Sequence, residues 1–232
     1  MKVPDQCNQC QHLHKSSFNA LPPNELDRVS KGRTCVQFKK GQTIYHEGMR
    51  VNGLYCIHAG IAKLSKLGPK GKDQIIKFMH PGELAGYRSM VAGDPVNGTL
   101  VAHTEVHGCF IPRELFFGVL EDNYGFSLEV LKRSCHELGE FGKVITHLAQ
   151  KSVKERLAEL LLMLEVQFGE NLNGFIDVKL SREEMANMVG TATESLIRLL
   201  SDFKKEGLIE TEGKYIRIAD KGGLIQLAEL ME

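Results

Sequence analysis

Glu194 and Arg198 stand four residues apart, one turn of a helix, so both would project from the same face. A carboxylate accepts from the amino group of cytosine, and a guanidinium forks onto O6 and N7 of guanine. Ile197 between them would suit a thymine methyl, and Thr193 and Ser201 extend the same outward row. An isolated pair of this kind is an ordinary surface ion pair contributing about 0.3–0.5 kcal/mol, so its surroundings decide. A second group of reactive residues lies at the other end of the chain. Cys7 and Cys10 form a C-x-x-C pair, the spacing of half a thiolate metal site, which needs further ligands.

The elements that must position Glu194 and Arg198 are legible from Leu180 to Asp220. Ser181 and Glu184 have capping-box spacing and predict a helix start. Met185, Met188 and Val189 are its expected inward residues, and Gly190 supplies the unhindered backbone of a tight inter-helix turn. Thr191 and Glu194 repeat the capping-box spacing and predict a second helix, with Leu196, Leu199, Leu200 and Phe203 at helical intervals as its buried face. After Gly207, the runs Leu208–Thr211 and Tyr215–Ile218 flank Glu212-Gly213-Lys214 and predict a hairpin. Two helices, a turn and a ribbon make a winged helix-turn-helix, with the row of Glu194 and Arg198 entering a major groove. Residues 151–232 hold 11 Lys+Arg against 15 Asp+Glu, a balance of −4, so overall charge does not drive DNA binding. Affinity must come from local placement of Arg182, Lys204, Lys205 and Lys214 near phosphates.

The 232 residues, 42% of them hydrophobic, suffice for two modest domains with real cores. No apolar run approaches the roughly 20 residues of a membrane span, and the N-terminus lacks a signal-peptide core, so a cytoplasmic protein is expected. Six cysteines in such a chain are expected to be free, metal-bound or redox-active rather than a disulfide framework.

Pro22-Pro23 opens a predicted short helix, Asn24 to Val29. From Val36 to Ile111 the pattern changes to short β runs between glycines: Thr43–His46, Gly53–His58, Ala62–Lys66, Asp73–Met79 and Thr99–Ala102. Even spacing of this kind predicts an antiparallel jelly roll. His46, His58, His80, His103 and His107 fall in this region but contain no H-x-H, which argues against a cupin metal enzyme; His12-Leu13-His14 lies before it. From Phe126 to Ala149, Leu131, Cys135, Leu138, Phe141, Ile145 and Leu148 alternate at three and four residues, the stripe of a parallel coiled-coil seam between two subunits. The expected class is therefore α+β, divided into an N-terminal segment (1–20), a jelly-roll sensor domain (21–124), a dimerisation helix (125–150) and the winged helix-turn-helix (151–232).

The chain resembles the Crp/Fnr family of bacterial transcription regulators over nearly its whole length. The family's E-x-x-x-R pair falls on Glu194 and Arg198, and its E-R-L-A-x-L-L-x-L lead-in falls within Lys154 to Leu164 (KERLAELLLML). The resemblance implies a cyclic-nucleotide-binding-type sensor, DNA reading by Glu194 and Arg198, a homodimer on a palindromic operator, and RNA polymerase as partner. The oxygen-sensing branch usually has Ser where Ile197 stands, and the cAMP-binding branch has Arg where Thr193 stands.

The resemblance also bears on the signal. In the oxygen-sensing branch four cysteines hold a [4Fe–4S] cluster; Cys7 and Cys10 match the first two and Cys109 the distant fourth, but the third falls at about Ser16. His12, His14 or Cys35 would have to substitute. In the cAMP-binding branch a Glu and an Arg-Ser pair follow a P-G-E/D-L turn, here Pro81-Gly82-Glu83-Leu84. Tyr87 stands near the expected Glu, and Asn97-Gly98 near the expected Arg-Ser; Arg88-Ser89 comes too early unless the loop shifts. Candidate effector residues are therefore Gly82, Glu83, Leu84, Tyr87, Arg88 and Ser89, with cAMP not expected. The remaining alternatives are a redox or oxygen sensor, a module whose acidic C-terminal part contacts protein instead of DNA, and, remotely, a cupin-type enzyme.

Overall fold

The computed structural model describes residues 3–68, 71 and 73–228. The chain forms two compact units, Met1–Gly139 and Glu140–Glu232. No helix among the described residues is long and apolar enough to cross a membrane.

The first unit is built on two four-stranded antiparallel sheets. One has the order β1 (Thr34–Phe38), β8 (Val106–Pro112), β3 (Gly53–Ala59), β6 (Leu84–Ala85). The other has the order β2 (Thr43–Tyr45), β7 (Thr99–Ala102), β4 (Ala62–Leu67), β5 (Asp73–Met79). Alternation along the strands sends Ile44, Ile57, Leu64, Met79, Leu100 and Val106 into one core. The other face of the first sheet presents Leu54, Leu84 and Ile111 to α1 (Pro23–Gly32), α3 (Arg113–Asp122) and the start of α4 (Tyr124–Gln150). Phe116 and Phe126 are fully buried there, each burial worth about 1.5–3 kcal/mol. The five strands expected from the sequence are all present; β1, β6 and β8 complete the sheets. Helix α1 runs three residues past the expected Val29.

The N-terminal segment is part of this unit. Three short 3₁₀ turns, Cys7–Gln9, Leu13–Lys15 and Ser17–Ala20, carry it across the sheet. Phe18 is buried and stacks on Phe126 with centroids 5.3 Å apart. Cys7 and Leu13 pack against the same core, so the segment is held on this unit.

In the second unit, α5 (Val153–Phe168) starts at a Ser152–Glu155 capping box and buries Leu157, Leu161 and Leu164. Helices α6 (Arg182–Val189) and α7 (Thr193–Lys205) follow, then the antiparallel pair β9 (Ile209–Glu212) and β10 (Tyr215–Ile218), and α8 (Lys221–Leu227). The wing turn is shorter than expected: Glu212 pairs directly with Tyr215, leaving Gly213-Lys214 as a two-residue loop.

Candidate nucleic-acid interface and sensor cavities

Helix α6 begins as its sequence requires. The Ser181 hydroxyl accepts from Glu184 N at 3.1 Å, and Glu184 Oε2 accepts from Ser181 N at 2.9 Å. Met185, Ala186 and Val189 are its buried residues, while Met188 is only half-buried. Gly190 ends it with φ +74°, a conformation strained for any other L-residue.

The start of α7 departs from expectation. Its N-cap is Ala192, with no side-chain cap bond, so Thr191 and Glu194 form no capping box. The cause is local: Thr191 N donates to Ala186 O at 3.0 Å, beside Gly190 N on the same carbonyl at 2.9 Å. Thr191 is thereby held in the turn that closes α6, and α7 starts one residue later. The reading row survives this shift. Leu196, Leu200 and Phe203 are buried, while Glu194, Ile197, Arg198 and Ser201 are exposed, Ile197 by 51%. Thr193 is half-buried at the start of the row. Glu194 and Arg198 form no ion pair, with each other or with any described residue, which leaves both free for base edges. Lys214 is exposed at the wing turn. Arg182 is engaged otherwise: its Nη2 donates to Gly213 O at 3.0 Å and ties the start of α6 to the wing.

The expected effector residues separate into three places. Leu84, Tyr87, Arg88 and Ser89 line a cavity of ≈ 30 Å³ together with Tyr45, Lys77, Asn97, Gly98 and Glu137. The first turn of α2 (Tyr87–Ala92) places Arg88-Ser89 on the same cavity as Asn97-Gly98. Glu83 lies in an ion-pair network instead, 3.6 Å from Lys77 and 3.4 Å from Arg133. Glu137 of α4 joins Lys77 at 3.4 Å, Arg88 at 3.1 Å and Arg133 at 3.8 Å. A carboxylate of the chain itself therefore occupies the guanidinium that an anionic effector would need. Nothing in the local pattern pointed to Glu137 or Arg133, because the contact spans about 50 residues. Glu137→Gln removes the charge shared by the three cations and should lower unfolding stability by about 1–2 kcal/mol in urea titration. That is below the roughly 3–5 of a fully buried pair, because these side chains keep some water contact.

Gly82 belongs to the third place, a mostly apolar cavity under the N-terminal segment. With φ +94°, it approaches Lys15 and the His12 carbonyl so closely that a Cβ would stand 2.7 Å from the Lys15 side chain. Cys7, Cys10, His12, Ser16, Arg33, Cys56, His58 and Cys109 line the same cavity. Cys10 Sγ lies 3.3 Å from His58 Nδ1, and Arg33 Nη1 donates to Cys109 Sγ at 2.8 Å. Burial pushes the Cys56 thiol well above its ordinary value, and the nearby Cys109, Cys10 and Cys7 add to this. Burial likewise pushes Cys109 up to about 12 against the pull of Arg33. Burial first, then His12 and Arg33, holds the His58 imidazole below its ordinary value, favouring its neutral form. Among the described residues no three His, Cys, Asp or Glu side chains converge tightly enough for a single metal ion.

The structure thus brings Cys7, Cys10 and Cys109 to one cavity. Of the substitutes considered for the absent third cysteine, His12 lines it, while His14 and Cys35 do not; Ser16, at the position of that cysteine, lines it too. Cys56 was missed by sequence reasoning, and His58 was weighed only among the scattered histidines of the barrel region. The available signal was the C-x-H alternation in Leu54-Tyr55-Cys56-Ile57-His58, which puts both side chains on one face of a strand.

Along α4, Leu131, Leu138 and Ile145 recur every seven residues and are 59%, 71% and 68% exposed. Cys135 and Leu148 are exposed as well, and Phe141 is half-buried.

Residues 35–123 match the cyclic nucleotide-binding domain family, and residues 155–227 match the Crp-like helix-turn-helix domain family. The transcriptional activator protein FnrA of Stutzerimonas stutzeri is 31% identical over 222 residues, covering 91% of this chain and 86% of its own. The CRP-like cAMP-activated global transcriptional regulator of Mycobacterium tuberculosis is 28% identical over 213 residues, covering 91% and 95%. A crystal structure of a Crp/Fnr-family regulator from Eubacterium rectale superposes with a TM-score of 0.76 at 21% identity, covering 91% of this chain and 97% of that one. With both domain types in order and a relative of that similarity over nine-tenths of its length, the chain belongs to the Crp/Fnr family of DNA-binding transcription regulators, which are not enzymes.

Proposed function

We propose that the protein is a homodimer that reads a palindromic operator through α7 and is gated by a signal at the sensor unit. The observation that carries this reading is the exposed, unpaired row of Glu194, Ile197, Arg198 and Ser201 on a helix whose other face is fully packed. Unpaired charges on one exposed helix face fit a surface meant to be covered, and base edges match their chemistry. Lys214 on the wing and Lys204 at the end of α7 supply phosphate contacts, with binding that weakens steeply as salt rises. Arg182, fixed to Gly213, holds the wing in place. Two-fold symmetry is supported by the seven-residue apolar spacing of α4. RNA polymerase is the partner through which such a regulator acts.

Footprinting on genomic fragments tests this reading. The expected result is protection of two inverted half-sites centred one helical turn, roughly 10–10.5 base pairs, apart. Inserting half a turn between them should abolish high affinity. Protection without symmetry, or none, rejects the proposal in favour of a module that contacts protein.

The signal is not cAMP in this reading, because the Glu137 carboxylate already pairs with Arg88, the one guanidinium of this cavity among the described residues. The second cavity favours a redox or oxygen signal instead. Cys7, Cys10 and Cys109 fit an iron–sulfur cluster: they are soft ligands, they share an apolar enclosure, and Arg33 offsets the negative charge of a thiolate-bound centre. The cluster would supply the oxygen-sensitive chemistry; the chain supplies the ligands, the charge compensation and the shelter from water. Its loss would loosen the N-terminal segment from the sheet, and coupling of about 1–3 kcal/mol between that event and the DNA-reading geometry suffices for control.

A further inference from the structure

Three thiols do not complete a four-cysteine centre, and Ser16, where a third N-terminal cysteine would stand, is a poor soft-metal ligand. Its hydroxyl is also already used, accepting from Phe18 N at 3.4 Å. Cys56 lines the same cavity as Ser16, the position that lacks a thiol. It pairs in register with Cys109 on the neighbouring strand, so the two side chains share a sheet face with Cβ atoms about 4.5–5.5 Å apart. Cys35 also pairs with Cys109, from the opposite side, but it is exposed and does not line the cavity. His58 lies on the same strand, yet its Nδ1 is directed at the Cys10 sulfur.

We propose that Cys56 supplies the fourth thiolate, with Cys7, Cys10 and Cys109, of an iron–sulfur centre held between the N-terminal segment and the sheet. Two ligands come from the segment and two from adjacent strands, so the centre clasps the segment to the sheet. His58 is a positioning residue that holds the Cys10 sulfur. Each thiol gives up its proton on ligation, and the metal's charge offsets the cost of burying a thiolate. This assignment rests on the redox reading given under Proposed function.

The test is anaerobic loading of the full-length chain with ferrous iron and sulfide, read as iron and acid-labile sulfide per chain and as broad visible absorption. Wild type and Cys35→Ser should load fully. Cys56→Ser, and Cys56→Ala as a second variant that keeps the packing apolar, should lose at least about tenfold in bound iron. Because Ser16 and Cys56 line the same cavity, the double variant Cys56→Ser/Ser16→Cys should regain the centre, a rescue that a purely structural role for Cys56 would not produce. If wild type and the Cys56 variants load equally, the assignment of Cys56 is overturned while the redox reading stands. If wild type takes up neither iron nor sulfide, or binds only zinc, the redox reading itself is overturned and this assignment with it.

Discussion

Replacing Arg198 with Ala should cost about 1–3 kcal/mol per half-site, hence about 2–6 kcal/mol on a two-fold operator, or roughly 30-fold to 10⁴-fold in Kd. Glu194→Ala/Arg198→Ala should bring binding down to the sequence-independent level, since the remaining contacts are to phosphates and carry no base information. Both side chains are exposed and make no ion pair with any described residue. Their removal should therefore leave thermal stability within about 0.5 kcal/mol, the usual range for surface changes. The measurement is competition of operator against scrambled duplex at fixed salt. An unchanged ratio in the double variant would sink the assignment of these two residues. The structure argues against that outcome, because Glu194 is not held by Arg198 and contributes no cap to α7.

That last detail marks the boundary of what the sequence could disclose. Ser181 with Glu184, the glycine at 190 and the apolar interval from Leu196 to Phe203 act within a few residues of one another, so their consequences are readable without a fold. Thr191 had the same spacing to Glu194, but its backbone N–H was already committed to the carbonyl of Ala186. Which of two competing local bonds forms depends on the geometry of the preceding helix end, and spacing alone does not weigh it. The strands were legible because glycines bound them and their alternation is local. Their register was not, and register is what sets Cys56 opposite Cys109. The pairing of Arg88 with Glu137 is hidden for a related reason: it depends on how α4 returns across the barrel. The candidate DNA interface was therefore readable almost residue by residue. Both cavities of the sensor unit required the fold.

The second large effect expected is on assembly. Leu138→Glu/Ile145→Glu should convert the protein to a monomer at micromolar concentration, measured by sedimentation equilibrium or light scattering. Both side chains are more than two-thirds exposed and lie seven residues apart, so neither change should disturb the packing of a single chain. In a parallel pair of α4 helices each would meet its own symmetry mate, as seam positions do. The substitutions then remove four buried apolar side chains, worth about 1.5–3 kcal/mol each. They also set like charges against each other across the axis. A change of about 6–12 kcal/mol exceeds what a dimer of ordinary micromolar-to-nanomolar affinity can absorb. DNA binding should fall with it, because the second half-site is then no longer engaged at the millimolar effective concentration that linkage provides, a loss of about 10²–10⁴-fold in avidity. Leu172→Glu is the control: Leu172 is fully exposed in the loop after α5 and lies off the seam, so this variant should remain a dimer with unchanged operator affinity. If the double variant stays dimeric while the control behaves as expected, α4 is not the seam. The two Arg198-bearing helices must then be spaced by some other surface.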